Sequence, residues 1–352
     1  MKFIHIADMH FDKPFTVLEK NGLSEERRIE QRNVFNKMIQ YIKDNNIECL
    51  FIAGDLYEHE YIRKSTIEFI NECFKEIENT RIYITPGNHD PYINNSFYNK
   101  FNWNENVKIF TNLEKIEREN LNIYGYGFTG FSSKAVELPT NLDKDKINIL
   151  IMHSDLNGVK KEGEHNPILE TKLNNSGFDY VALGHIHKKS MNNVKAIYPG
   201  SMFAGGFDEL GKHGMIEGEI DIKTKEINYK FISLDEKEFV KEEVDISNIN
   251  SEEELIENIN KKEKLKKQYY EYVFIGNKNI EIDLNKILRL IEDKKVIKLK
   301  DRSKLKYNVY QIAEEKSLKG IFVKELLNEI NEDKSNADEV LRIIEIGLNA
   351  MS

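Results

Sequence analysis

The chain has 352 residues, of which 40% are hydrophobic and 32% are charged, and its formal net charge is -9. Its length predicts one large domain together with a smaller one, and its composition excludes extended disorder. The acidic balance excludes binding of nucleic acid through bulk charge, so any attraction to phosphate must be local.

Cysteine usage and hydropathy predict where the protein works. Cys49 and Cys73 form no CxxC pair, which is typical of buried thiols in a reducing compartment. The apolar run before Asp8 is too short for the hydrophobic region of a signal peptide, and no run of about 18 apolar residues follows. We therefore expect a soluble, cytoplasmic protein with no membrane partner.

The first part of the chain alternates between strand-like and helix-like runs. Strands are predicted at residues 2–7, 49–53 and 81–85 because these runs are short, apolar and rich in β-formers. Helical periodicity predicts a helix over residues 24–45, and a capping box at residues 65–68 predicts the start of a second helix. This alternation predicts parallel α/β structure.

Strand patterns dominate after residue 106. Runs at 107–110, 121–126, 147–153, 180–183 and 194–198 predict strands, and alternating runs at 215–222 and 227–231 predict half-exposed antiparallel strands. The expected fold is α/β, with two mixed sheets packed face to face and flanked by helices. A charged stretch at 235–238 predicts a boundary, which divides the chain into domains 1–234 and 235–352.

The second domain is expected to be a smaller α+β domain. Ser251 is predicted to cap a helix, strands are expected at 269–275 and 296–299, and helices at 284–291 and 318–330. The last predicted helix, 337–350, has one apolar face. That face could dock a partner or pack onto its own domain. Its residues are Val340, Leu341, Ile344 and Leu348.

Five apolar runs of the first domain end in side chains that bind metals. Open α/β sheets bind ligands at the carboxyl ends of their strands, so these side chains are expected to meet in one crevice. The alternative is a set of hydrogen-bonded turn and core residues. The predicted ligands are Asp8, His10, Asp55, Asn88, His153, His185 and His187.

Oxygen and imidazole donors without a thiolate predict a site for two divalent ions. Ions about 3.5 to 4 Å apart need a bridging group, and we expect the carboxylate of Asp55 to serve. The neutral Asn88 preserves a positive surplus toward phosphate. The donor set suits manganese, iron or zinc, and its carboxylate and amide share favours manganese.

The series D-x-H, G-D, G-N-H-D, H and G-H-x-H resembles the calcineurin-like metallophosphoesterases over roughly the first 210 residues. Its flanks ADMHFDKPF, GDLYE, GNHDP, GHIHK and YPGS resemble the SbcD nuclease group and its YhaO-like relatives. The resemblance implies that His89 assists the leaving group and that Asp90 orients it. It also implies that one ion is held by Asp8, His10, Asp55 and His187, and the other by Asp55, Asn88, His153 and His185.

The resemblance implies a metal-dependent DNA exonuclease or phosphodiesterase of DNA repair, which uses a hydroxide activated by two metals. It implies DNA and an SbcC-like ATPase subunit as partners, and it leaves a homodimer open. A phosphatase or small-molecule phosphodiesterase on the same scaffold is one alternative, since the ligand set is indifferent to the leaving group. A noncatalytic scaffold for a partner ATPase is another.

Three residues near the motifs have two interpretations each. His5 alternates with apolar neighbours on a buried strand, which favours a core histidine or one that supports a ligand. Tyr57 and Tyr92 lie beside ligand motifs, where they could stack on an unpaired base or pack in the interior.

Overall fold

The computed structural model describes residues 1–158, 164–191, 195–278, 280–305, 308–332 and 336–351. Contacts divide the chain into two compact units. The first comprises Met1–Val240 and Lys267–Tyr269, and the second comprises Lys241–Lys266 and Tyr270–Ser352. The division into domains 1–234 and 235–352 stays a prediction.

The first unit is built from strands with helices between them. Its strands are β1 (Lys2–Ile6), β2 (Cys49–Ile52), β3 (Arg81–Ile84), β4 (Val107–Ile109), β5 (Glu114–Glu117), β6 (Leu121–Tyr126), β7 (Ile147–His153), β8 (Tyr180–Gly184), β9 (Ala196–Ile197), β10 (Gly214–Ile220) and β11 (Ile227–Ser233). Its helices are α1 (Thr16–Glu19), α2 (Ser24–Asp44), α3 (Lys64–Lys75), α4 (Phe97–Lys100) and α5 (Glu170–Asn174).

These strands form two mixed sheets. The first has the order β11-β10-β1-β2-β3-β4, in which β1 to β4 are parallel and β10 runs antiparallel to β1. The second has the order β5-β6-β7-β8-β9, with β5 antiparallel to β6 and the others parallel. Phe3 and Phe51 of the first sheet and Ile123 and Ile151 of the second belong to one buried cluster. The predicted α/β fold with two sheets face to face is confirmed.

The helices follow the predicted periodicity, with one correction. Helix α2 buries Val34 and Met38, as its apolar spacing requires. The predicted capping box at residues 65–68 is wrong, because α3 begins at Lys64 after Arg63. The Arg63 amide donates to Asp12 Oδ2 at 2.9 Å, so a carboxylate from another loop holds the start of this helix.

The remaining elements belong mainly to the second unit. The strands are β12 (Glu238–Asp245), β13 (Gln268–Ile275), β14 (Asn277–Lys278), β15 (Val296–Asp301) and β16 (Lys304–Leu305). The helices are α6 (Glu252–Lys261), α7 (Leu284–Leu290), α8 (Val309–Ala313), α9 (Leu318–Glu332) and α10 (Ala337–Ala350). Strands β12, β13 and β15 form a sheet in the order β12-β13-β15. No helix in the described part of the chain has the length and apolar content needed to cross a bilayer.

Two features of the second unit can be compared directly with the predictions from the sequence. Ser251 caps α6 as predicted, because its side chain accepts from the Glu254 amide at 3.2 Å. Helix α10 has the predicted bounds, and its residues Val340 and Ile344 are buried in one cluster with Val323 of α9. Most of the predicted apolar face therefore packs inside its own unit.

Candidate metal centre

The predicted ligands follow strands from both sheets. Asp8 follows β1, Asp55 follows β2 and Asn88 follows β3, and these three strands are parallel neighbours whose carboxyl ends meet at one edge. His153 ends β7 and His185 follows β8, the adjacent pair in the second sheet. The sandwich thus brings two sheet edges to one site.

Several of these residues have a left-handed backbone. Asp8 has φ 52°, His10 has φ 48°, Asp55 has φ 52° and His185 has φ 101°. Such values cost free energy in residues other than glycine and persist where the surrounding structure enforces them, often at functional sites. The tight turns after the strands point these side chains toward one another instead of continuing the strand.

One group of donors forms around His10. Its Nε2 atom lies 3.0 Å from Nε2 of His187, and the latter atom lies 3.9 Å from Oδ1 of Asp8. All three residues can place a ligand atom within 4.8 Å of one another. Two imidazole nitrogens and a carboxylate that converge in this way are the arrangement expected around one divalent cation.

A second group forms around His153. Its Nε2 atom lies 3.0 Å from Oδ1 of Asn88 and 3.3 Å from Oδ2 of Asp55. The same Asp55 oxygen lies 3.7 Å from Nε2 of His10, in the first group. Asp55 therefore lies between the two groups, where a bridging carboxylate would have to be.

The Nδ1 atoms of three of these histidines form hydrogen bonds with oxygen atoms of the protein. Nδ1 of His10 contacts Oε1 of Glu58 at 2.8 Å, and Nδ1 of His153 contacts the Ala53 carbonyl at 2.9 Å. Nδ1 of His187 contacts Glu209. Since each Nδ1–H donates to an oxygen, Nε2 is the nitrogen that faces the centre, which is how proteins orient metal-binding histidines. These donors fit divalent ions such as manganese, iron and zinc.

His185 contacts the other predicted ligands through its backbone amide and through the edge of its ring. Its backbone N–H donates to both carboxylate oxygens of Asp8 at 3.1 Å. Its ring lies edge-on to His153, with 5.1 Å between ring centroids, and 4.9 Å from the ring of His165. Burial and the neighbouring His153 lower the pKa of His185 to about 3, so its imidazole is neutral.

Burial and neighbouring charges shift the pKa values of Asp8 and Asp55 in opposite directions. Burial raises the pKa of Asp8. Burial alone would also raise the pKa of Asp55, but His153 and His10 outweigh it and lower that pKa. Burial would lower the pKa of His153, yet contact with Asp55 raises it to about 9. Asp55 is thus the acid held most firmly as a carboxylate.

Glu58 joins the centre to His89. Its Oε1 atom accepts from His10, and its Oε2 atom lies 2.9 Å from Nδ1 of His89. The His89 side chain is 45% exposed, and its backbone N–H donates to Oδ1 of Asp55 at 2.9 Å. The hydrogen bond to Glu58 raises the pKa of His89. A histidine that readily holds a proton therefore faces solvent beside the donors.

Asp90 contacts the backbone of the loop that carries His89, and its role in orienting His89 stays a prediction. The carboxylate in contact with the His89 ring is Glu58, whereas Asp90 is buried and accepts from the amides of Asp55, Leu56 and Gly87 at 3.0, 2.6 and 2.6 Å. Asp90 thus fixes the loops that carry Asp55 and His89, since it bonds to the backbone of both. A Cβ on Gly87 would lie 2.3 Å from Asp55 Oδ1, which explains the glycine.

Burial resolves two of the three ambiguous residues, and the partly buried Tyr92 keeps both interpretations. His5 is fully buried, with ring nitrogens 3.0 Å from the Tyr180 hydroxyl and 3.1 Å from the Leu183 carbonyl, so it is a core histidine. Tyr57 is also fully buried, with its ring 4.9 Å from that of Tyr98. It packs in the interior and cannot stack on a substrate.

A two-sheet sandwich with carboxylates and imidazoles at its strand ends defines a metal-dependent hydrolase. The calcineurin-like phosphoesterase family matches residues 1–189, more than half of the sequence, and the chain belongs to this family. Membership implies phosphoester hydrolysis and binding of divalent metals.

Two of the curated proteins that are similar to this chain are a metallophosphoesterase and a nuclease subunit. The uncharacterized metallophosphoesterase YhaO of Bacillus subtilis is 26% identical over 264 residues, which cover 70% of this chain and 64% of that protein. The match thus spans less than two thirds of YhaO. The SbcD subunit of the SbcCD nuclease of Staphylococcus epidermidis is 25% identical over 297 residues, covering 71% of this chain and 77% of the relative. Among solved structures, TT1561 of Thermus thermophilus matches with a TM-score of 0.36 and 12% identity, covering 65% of this chain and 98% of that one.

Proposed function

We propose that the protein is a metal-dependent DNA exonuclease of the SbcD type that acts in cytoplasmic DNA repair. The observation that carries this proposal is the position of His89, which is half-exposed, held by Glu58 and directly beside the two donor groups. An open groove of about 540 Å³ begins there, and Lys13 and Asn88 also line it. Because the groove is open to solvent, the rest of a polymer chain could extend beyond it.

The two donor groups would hold two divalent ions, and we propose manganese. Asp8, His10, Asp55 and His187 would bind one ion, and Asp55, Asn88, His153 and His185 the other. When bound there, the ions would supply an activated water for attack and would neutralise phosphate charge.

The chain's own residues supply the remaining chemistry. His89 shares its Nδ1–H with Glu58, so Nε2 is the atom from which a proton can reach the departing sugar oxygen. Glu58 favours the protonated ring, because it is a carboxylate whose pKa is about 2: burial would raise that pKa, and hydrogen bonds from His10 and His89 lower it. Asp90 holds the backbone amides of Asp55 and Leu56 in place.

The proposal is tested by comparing substrates with manganese present. A nuclease should shorten single-stranded and duplex oligonucleotides stepwise from an end and hydrolyse bis-p-nitrophenyl phosphate. A phosphatase should prefer the p-nitrophenyl monoester and leave oligonucleotides intact. The Asp55→Asn variant serves as the control for contaminating nucleases, since it removes the shared carboxylate.

We also propose that an SbcC-like ATPase binds the second unit. The name of the S. epidermidis relative, which is one subunit of the SbcCD nuclease, motivates this partner. The outer surface of α9 and α10 supports it, because large apolar side chains remain exposed there after the inner face has packed. We call these residues the outer apolar surface: Leu318, Ile321, Leu341, Ile343 and Ile346.

A further inference from the structure

The groove beside His89 exposes two aromatic side chains. Tyr61 is 51% exposed and Phe131 is 55% exposed, and both line the groove that contains His89 and Lys13. Single exposed apolar residues are common on protein surfaces. Here, however, two rings line the same groove as His89 and Lys13. This combination indicates a ligand that has both flat apolar faces and negative charge.

Both aromatic loops are tied to the stretch that carries His89. The amide of His59, two residues before Tyr61, donates to the His89 carbonyl at 2.9 Å. The amide of Phe128, three residues before Phe131, donates to the Pro86 carbonyl at 2.9 Å. Each loop is therefore anchored to the 86–89 backbone, and the two rings extend from loops that are held beside His89.

We propose that Tyr61 and Phe131, here called the aromatic pair, stack on an unpaired nucleobase at the end of a DNA strand. The inference rests on the proposed nuclease function and names its substrate class, strand ends with unpaired bases. A base inside a duplex has both faces covered by neighbouring bases, so it cannot offer a free face to these rings. An unpaired terminal base can.

The charges in the groove agree with a nucleotide. Two carboxylates, Glu58 and Glu60, also line the groove, and Glu58 is paired with His10 and His89. Lys13 provides a cation for a phosphate next to the stacked base, where net charge alone would repel DNA. His89, on the same lining, would face the leaving oxygen. The groove volume of about 540 Å³ lies in the range of sites that hold small ligands, a class of size that includes a terminal nucleotide.

The test compares two single-stranded oligonucleotides of one sequence and length. One carries bases throughout, and the other carries abasic residues at both termini. Stacking on aromatic side chains should make kcat/KM with the normal oligonucleotide about 5- to 150-fold higher for the unmodified protein, mainly through KM. In Tyr61→Ala and Phe131→Ala this ratio should fall toward one, whereas Tyr61→Phe should keep most of it.

Tyr310→Ala is the matched control, because Tyr310 is 73% exposed and lies in the second unit. It should keep the ratio of the unmodified protein. A ratio near one in the unmodified protein would refute base stacking by the aromatic pair, and so would a ratio that neither alanine substitution changes. Neither result would contradict the proposed nuclease function. If bis-p-nitrophenyl phosphate is hydrolysed and no oligonucleotide is cut, the proposed nuclease function is refuted. The proposal that the aromatic pair stacks on a nucleobase is then refuted as well, because it rests on that function.

Discussion

Glu58 Oε2 lies 2.9 Å from Nδ1 of His89, which faces solvent. The other carboxylate oxygen of Glu58 contacts His10, one of the predicted metal ligands, so a single carboxylate is the partner of both histidines. The two oxygens of Glu58 are divided between the two rings. A change at Glu58 should therefore affect both metal binding and chemistry, which a substitution at His89 alone should not.

Glu58→Gln is expected to weaken the metal site that contains His10 by about 10- to 100-fold, since partners that orient a ligand typically contribute that much. Turnover with saturating manganese should also fall, because the neutral amide no longer favours protonated His89. Calorimetric titration with manganese and kcat measured at saturating metal separate the two effects. Glu68→Gln, an exposed acid on α3, is the control. Unchanged metal affinity in Glu58→Gln would refute the link to His10.

His89→Asn should keep its metals and much of its DNA affinity. Loss of general-acid help should reduce turnover of DNA by about 10²- to 10⁴-fold. The loss should be smaller with bis-p-nitrophenyl phosphate, because p-nitrophenolate departs without a proton. Metal content by elemental analysis and kcat for the two substrates decide the matter. Loss of metal would make His89 a ligand, and an unchanged rate on DNA would leave it a turn residue.

Asp55→Asn should lose both ions together, whereas His10→Ala should weaken mainly one. The reason is that the Asp55 carboxylate lies between the two donor groups, 3.3 Å from His153 Nε2 and 3.7 Å from His10 Nε2. Elemental analysis of the purified variants gives the number of ions per chain. Two ions retained by Asp55→Asn would show that another group bridges them.

Much of this site was predictable because strand ends concentrate ligands. Short apolar runs predicted β1, β2 and β3, and the polar residues after them, such as Asp8 and Asp55, meet as parallel topology requires. Periodicity also predicted α2 and α10 closely.

What the sequence did not predict depends on contacts distant along the chain. Glu209 lies 22 residues beyond His187 in a loop with no motif, so only the fold reveals their contact. Glu58 stands inside the GDLYE motif, but its two histidine partners come from other loops. Strand β12 begins at Glu238, inside the predicted charged boundary. Its buried residues, Phe239 and Val244, lie five residues apart and give no two-residue alternation from which a strand could be predicted.

The outer apolar surface gives a prediction about the partner. Ile346 is 61% exposed on α10, so Ile346→Glu should leave the second unit folded and abolish association with an SbcC-like ATPase. Ile29→Glu, at a 55% exposed site on α2, is the matched control and should retain binding. Truncation before α10 is a poorer test, since it would expose the buried Val323. Co-purification and light scattering measure the complex, and binding retained by Ile346→Glu would exclude this surface.

His5 should make the first unit sensitive to acid. Burial lowers the pKa of His5 from 6.5 to about 3, although a hydrogen bond to Leu183 opposes the shift. Between those values the unfolded chain binds a proton at His5 that the folded chain does not, so the free energy of unfolding falls as pH falls below about 6.5. The contribution from His5 between pH 7.5 and pH 5 is about 2 kcal/mol, at 1.36 kcal/mol per pH unit.

His5→Gln should therefore lose about 2 kcal/mol less than the unmodified protein over the same pH interval, even if it is less stable at pH 7.5. Urea unfolding followed by the fluorescence of Trp103, the single tryptophan, reports on the first unit. Tyr180→Phe is the control, because it removes the hydroxyl that contacts His5 and keeps the imidazole. It should show the pH dependence of the unmodified protein. An equal loss of stability in His5→Gln and the unmodified protein would mean that His5 is protonated in the folded state or that other groups set the acid sensitivity.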